Sequence, residues 1–166
     1  MNYSSGPYST PVLDRDRVYA WGAEGKLHCL DLHQGTLFWS RSLSDEYDVE
    51  PGTFPVASSP VLDGDRLILN VGGRRAGAGI VALEKHTGRT LWTATEDGAG
   101  CATPKVVTMH GRQAAFVWTY ENLVALDPES GRIWWRIPFR ANHPDTSNAV
   151  SPLVYGDAVL VSGYQV

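Results

Sequence analysis

Side chains able to hold a cation, an anion or a partner fall into a few short stretches of this 166-residue sequence. SDEYDVEPGTF, residues 44–54, brings together Asp45, Glu46, Asp48 and Glu50, which could hold Ca2+. The D-x-D-x-D-G spacing of a calcium loop is absent, and a solvated loop is the plainer reading. GGRRAGAG, residues 72–79, has the glycines of a phosphate cradle, but the following IVALE reads as a strand and a cradle needs a helix. What remains is a glycine-rich hairpin whose Arg74 and Arg75 could meet a partner's carboxylates. ANHPDTSN, residues 141–148, offers Asn142, His143, Asp145 and Asn148, either as a polar channel lining or as plain loop. His33 and His86 occupy the same place in two copies of a repeat. Zinc needs its nitrogens at about 2.0–2.1 Å, so they read as surface turn residues. The candidate ligand or partner face is therefore Tyr47, Phe54, Arg74, Arg75, Asn142, His143 and Asn148, with no catalytic residue and no metal ligand assigned.

Composition narrows the partners. The sequence has 14 basic and 18 acidic residues, a formal charge of −4, and so no field to draw in a polyanion; nucleic acid is not expected as a partner. No apolar run approaches the roughly 20 residues that cross a bilayer, and the opening MNYSSGPYST lacks the charged and apolar regions of a signal peptide. Cys29 and Cys101 form no C-x-x-C or vicinal pair and read as small buried apolar residues.

The elements that position these stretches repeat. One phrase opens each unit: STPVLDRDRVYA from Ser9, SSPVLDGDRLIL from Ser58, ATPKVVTMHGRQ from Ala102 and VSPLVYGDAVLV from Val150. Its proline falls at Pro11, Pro60, Pro104 and Pro152, at intervals of 49, 44 and 48 residues, the length of a four-stranded propeller blade. A second phrase closes each complete unit: CLDLHQGTLFW, ALEKHTGRTLW and ALDPESGRIWW. Its glycine and tryptophan are Gly35 and Trp39, Gly88 and Trp92, Gly131 and Trp135. Each unit reads as four short strands, in the first at 11–13, 18–21, 27–32 and 37–39, with polar or glycine-bearing turns between. No amphipathic helix period is present. Asp31, Glu84 and Asp127, four residues before the glycine, can accept backbone N–H groups and organise the turn. The repeated tryptophans are expected to be buried by packing of the outer strand against a neighbouring unit.

These phrases resemble the PQQ-like propeller repeat, whose docking signature is approximately A-x-D-x-x-T-G-x-x-x-W. Ala82, Thr87, Gly88 and Trp92 match it in the second copy, and Ala125, Asp127, Gly131 and Trp135 in the third. Cys29, Glu84, Gln34 and Ser130 depart from it in ways a packing role absorbs. The expected fold is all-β, a partial β-propeller of four-stranded antiparallel blades at about 8–43, 57–95 and 102–139, with half of a fourth at 150–166, all one domain. Longer inter-blade loops and the 72–79 hairpin should share one face, where binding is expected.

Propellers of this kind generally have seven or eight blades. The chain is thus expected to be a fragment of a larger propeller, or to complete itself with missing blades or by self-association. The resemblance implies a non-catalytic scaffold that binds a protein or small ligand at its rim or channel mouth, with no cofactor. The alternative is part of a quinoprotein alcohol dehydrogenase using PQQ and Ca2+; the vicinal cysteines usual there are absent, and no Ca2+ ligand or catalytic aspartate can be matched. A periplasmic or other extracytoplasmic location is implied by the resemblance alone.

Overall fold

The computed structural model describes residues 8–50, 57–140 and 148–163. The first sheet contains β1 (Val12–Asp14), β2 (Arg17–Trp21), β3 (Lys26–Asp31) and β4 (Leu37–Ser42), paired antiparallel in chain order. After a short helix, α1 (Leu43–Glu46), the second sheet runs β5 (Val61–Asp63), β6 (Arg66–Gly73), β7 (Ala78–Glu84) and β8 (Thr90–Ala94). The third is β9 (Lys105–Met109), β10 (Arg112–Trp118), β11 (Asn122–Leu126) and β12 (Ile133–Pro138). A hairpin of β13 (Leu153–Tyr155) and β14 (Ala158–Leu160) begins a fourth. The architecture is the expected one: three complete blades and half of another. Each opening proline stands just before its strand, where no ladder donor is needed. The outer strands run past their tryptophans, and α1 fills part of what reads in the sequence as loop.

Burial follows from stacking the sheets face to face. Tyr19, Trp21, Leu27, Leu67, Leu69, Val81 and Leu83 form the core between blades one and two. Ile68, Ile80, Ala82, Ala115, Val117, Val124 and Leu126 form that between blades two and three. Blade two is therefore covered on both faces, which explains why residues 67–73 and 78–83 are buried without alternation and are mostly apolar. Cys29 is buried in the first core, where burial pushes its thiol up, while Cys101 is half-buried.

The closing phrase works across blades. In each of the three complete blades the register shifts at one place in the third strand, leaving Phe38, Leu91 or Trp134 as the extra residue of a bulge. That shift sets Trp39 opposite Cys29, Trp92 opposite Ala82 and Trp135 opposite Ala125, small residues that leave room for an indole. The Trp39 indole N–H donates to the Lys85 carbonyl at 3.1 Å, and its ring covers Gly88 of blade two, where a Cβ would meet the ring at 2.8 Å. Trp92 repeats this on blade three, donating to the Pro128 carbonyl at 3.1 Å over Gly131. At the ends the two halves of this joint stand apart. Gly35 has nothing within 4 Å of a built Cβ, and Trp135, expected to be buried, is 38% exposed, with no turn over it among the described residues.

The carboxylates shape the turns. Asp31 accepts the backbone N–H groups of His33 at 2.9 Å and Gln34 at 2.7 Å. Glu84 accepts those of His86 at 3.0 Å and Thr87 at 2.8 Å, and Asp127 accepts that of Glu129 at 2.9 Å. The backbone hydrogen bond from Gln34 is the main influence holding Asp31 below its ordinary range. For Glu84 and Asp127 burial is the largest influence and pushes upward, but the turn hydrogen bonds together outweigh it and both end low. A depressed folded pKa stabilises above the unfolded value near 4 and is lost as pH falls through the folded value. The triple variant Asp31→Asn, Glu84→Gln, Asp127→Asn should therefore show a flatter acid limb below about pH 4 in a Tm-versus-pH series. An unchanged limb would remove these turns from the acid response.

Candidate functional face

The inter-blade loops and the hairpins between second and third strands meet on one side of the arc. Arg75, from the β6–β7 hairpin, reaches back to Asp48 at 3.1 Å and Glu50 at 3.0 Å in the first inter-blade loop. Its neighbour Arg74 reaches forward to Glu121 in the β10–β11 turn. The other oxygen of Glu121 accepts the Gly98 N–H at 2.9 Å, tying in the second inter-blade loop. Asn148 is buried and donates to the carbonyls of Thr119 at 2.7 Å and Tyr120 at 3.3 Å. Tyr47 lies against Gly73 and shares a 2.7 Å hydrogen bond with Thr90. Tyr47, Arg74, Arg75 and Asn148 thus belong to one connected face; Phe54, Asn142 and His143 lie outside the described residues.

Other residues of this face escaped the sequence reading. The Tyr120 ring has the Arg140 guanidinium 4.0 Å from its centroid and that of Arg74 at 5.7 Å. Beneath it Asp97 is buried, with Oδ2 2.8 Å from the Thr119 hydroxyl and both oxygens accepting the Asn122 amide at 2.9 and 3.0 Å. Asn70, also buried, donates to the carbonyls of Gly100 at 3.2 Å and Trp118 at 3.0 Å. The T-x-x-N spacing of Thr119 and Asn122, where the hydroxyl accepts the Asn122 N–H at 3.0 Å, is the signal that marks this turn in the sequence. Asp97→Ala leaves the Asn122 amide without its acceptor, while the Thr119 hydroxyl keeps the Asn122 carbonyl at 2.9 Å, and the expected cost is about 1–3 kcal/mol in urea unfolding. A loss within about 0.5 kcal/mol would place the network in solvent.

On the opposite side Lys85 bridges blades one and two, with Nζ 2.8 Å from Asp14 and 3.1 Å from Asp65. The hydrogen bond to Asp14 raises the lysine and, as its largest influence, lowers the aspartate. His86 stands 3.9 Å from Asp65, and His33 is exposed on its own turn.

The four acidic residues of the first inter-blade loop do not converge. Asp45 accepts from the Ser42 hydroxyl at 2.5 Å, Glu46 pairs with Arg41, and Asp48 and Glu50 share Arg75. Among the described residues no three His, Cys, Asp or Glu side chains come together as a cation site. Ca2+ takes six to eight oxygens, and the four carboxylates of this loop, each turned to its own partner, do not supply them together. No helix among them is long and apolar enough to cross a membrane.

Comparison with known proteins agrees with this architecture. The quinoprotein ethanol dehydrogenase of Pseudomonas putida is 24% identical over 92% of the chain, which spans 26% of that protein. The outer membrane protein assembly factor BamB of Salmonella typhimurium is 33% identical over 53% of the chain and 19% of its own length. The chain thus spans about a quarter or less of these curated relatives. The crystal structure of BamB from Moraxella catarrhalis superposes with a TM-score of 0.67 at 21% identity, covering 96% of this chain and 46% of that one. The family model described as outer membrane protein assembly factor BamB matches residues 2–166, and the chain belongs to this family of PQQ-like propellers.

Proposed function

We propose that this arc is part of a non-catalytic propeller scaffold whose loop face receives a segment of another protein, in a role like that of the outer membrane assembly factor it resembles. An extracytoplasmic location goes with that role. The observation that carries the reading is the way the charged groups of the face are spent. Arg74, Arg75 and Glu121 lock neighbouring loops together, which presents Tyr120 and the exposed side of Arg75 and Arg140 on a stiff platform. Preorganised aromatic and arginine side chains are what protein interfaces concentrate. Phe54, Asn142 and His143, outside the described residues, are proposed as further contacts.

A second reading, a piece of a quinoprotein dehydrogenase, rests on the match to the ethanol dehydrogenase along 92% of the chain. PQQ would supply a two-electron acceptor there, but the residues described above do not assemble its cation site.

A photo-crosslinking residue in place of Tyr120, introduced in the host cell, should give one discrete adduct with a component of the outer membrane assembly machinery. Arg74→Glu should weaken that adduct, and the same probe at Glu129, on the opposite face, should give none. In parallel, PQQ added with Ca2+ should leave the tryptophan fluorescence unchanged. Saturable Ca2+-dependent quenching, or equal crosslinking from both faces, would overturn the scaffold reading.

A further inference from the structure

Two places in the repeat carry buried polar atoms that nothing described so far uses. The first is two residues before each opening proline, at Ser9, Ser58 and Ala102. The second is near the end of the second strand. Val12, Val61 and Lys105 stand opposite Tyr19, Ile68 and Phe116, and two residues beyond these come Trp21, Asn70 and Trp118. Because the strands are antiparallel, the two places are neighbours at the loop-face end of each blade. In blade three their residues, Ala102 and Trp118, pack in one buried cluster.

In blades one and two both places are polar and sit at joints. Trp21 lies in the core between blades one and two, and Asn70 reaches the backbone of blade three. Ser9, Trp21, Ser58 and Asn70 are at most 7% exposed. The two hydroxyls, the Trp21 indole N–H and the Asn70 Oδ1 have no hydrogen-bond partner among the described residues, where buried polar groups are almost always satisfied. The Asn70 amide is held in its orientation: Nδ2 donates to the Gly100 carbonyl at 3.2 Å and the Trp118 carbonyl at 3.0 Å, and reversal would set Oδ1 against both. Each pair is complementary, a hydroxyl with an indole donor or with an amide acceptor, yet makes no direct bond. A gap wider than one hydrogen bond therefore separates its members. Blade three is the contrast. Ala102 brings no polar side-chain atom, and the Trp118 indole N–H already donates to the Phe139 carbonyl at 3.0 Å.

We propose that each of the first two joints holds one internal water at this place, bridging Ser9 to Trp21 and Ser58 to Asn70, while the same place in blade three is dry. Water is the ligand because it both accepts and donates. At the first joint it accepts from the indole N–H and donates to the Ser9 oxygen; at the second it donates to Oδ1 and accepts from the Ser58 hydroxyl. A cation needs oxygens alone, and the indole N–H at the equivalent place offers it none. Two polar partners are the fewest that hold a buried water. The sites adjoin the hydrogen bonds that link the heads of the inner strands, from the Thr10 N–H to the Ser59 hydroxyl at 2.8 Å and from the Ser59 N–H to the Thr103 hydroxyl at 3.1 Å. The proposal does not depend on what the loop face binds.

Water-selective NMR on the full-length protein with isotope-labelled tryptophan tests it, since each indole N–H reports on its own neighbour. Trp21 should show a cross-peak to a water held far longer than bulk solvent, and Trp118 should show none. Ser9→Ala, which copies the alanine of blade three, should fold normally by circular dichroism and Tm and weaken the Trp21 cross-peak several-fold. A crystal structure of the full-length protein should show one solvent peak about 2.7–3.2 Å from both Ser58 Oγ and Asn70 Oδ1. No cross-peak at Trp21, equal cross-peaks at Trp21 and Trp118, or a Trp21 cross-peak indifferent to Ser9→Ala would each overturn the proposal. So would a crystal in which Ser58 and Asn70 bond directly or enclose an ion.

Discussion

Trp92→Ala should cost about 3–5 kcal/mol of unfolding free energy, while Trp135→Ala should cost no more than about 1 kcal/mol. The two residues have the same sequence context and differ in what the next blade offers. Trp92 packs into the core between blades two and three and donates its indole N–H to the Pro128 carbonyl at 3.1 Å. Removing it opens a cavity between blades and leaves that carbonyl without its donor. Trp135 packs on Phe116 with ring centroids 5.9 Å apart, its remaining edge in solvent. Urea unfolding of the two variants, with m-values compared, checks the contrast. Equal losses would mean that the tryptophan stabilises its own blade and not the joint.

Gly131→Ala should cost about 2–4 kcal/mol and Gly35→Ala only about 1–2 kcal/mol. Both glycines sit in the left-handed region, at φ 73° and 69°, so alanine meets the same backbone strain at either position. The difference is steric. A Cβ on Gly131 would lie 2.6 Å from the Trp92 ring, whereas one on Gly35 meets nothing within 4 Å. The pair therefore separates the conformational cost of the turn from the cost of closing the socket. Thermal or urea unfolding reads both, and equal effects would contradict the docking geometry.

The fold was legible because each repeat writes the same constraints. Glycine must lie under an indole, a small residue such as Ala82 or Ala125 must face that indole, and the carboxylate must fold the turn between them. What the sequence did not display is direction. Nothing in ALEKHTGRTLW shows that Trp92 leaves its own Gly88 and covers Gly131, a choice made by the bulge at Leu91 and the stacking of sheets. Of the three tryptophans expected to be buried, Trp39 and Trp92 are half-buried against the next blade, while Trp135 is exposed, with no turn over it among the described residues. The loop face was harder to read for a related reason. Arg74, Arg75 and Asn148 stand out by residue type, but Asp97, Asn70 and Tyr120 matter through partners 20 to 48 residues away in the chain, and no local spacing announces them.

The central claim is that these blades are joined forward, each tryptophan onto the next blade's glycine. A double-mutant cycle tests it most directly, with Trp92→Leu paired first with Gly131→Ala and then with Gly88→Ala. Coupling of about 1–3 kcal/mol is expected with Gly131, since removing the ring also removes the clash, and additivity within about 0.5 kcal/mol with Gly88. Coupling to Gly88 with additivity at Gly131 would contradict the account, because the motif would then close its own blade.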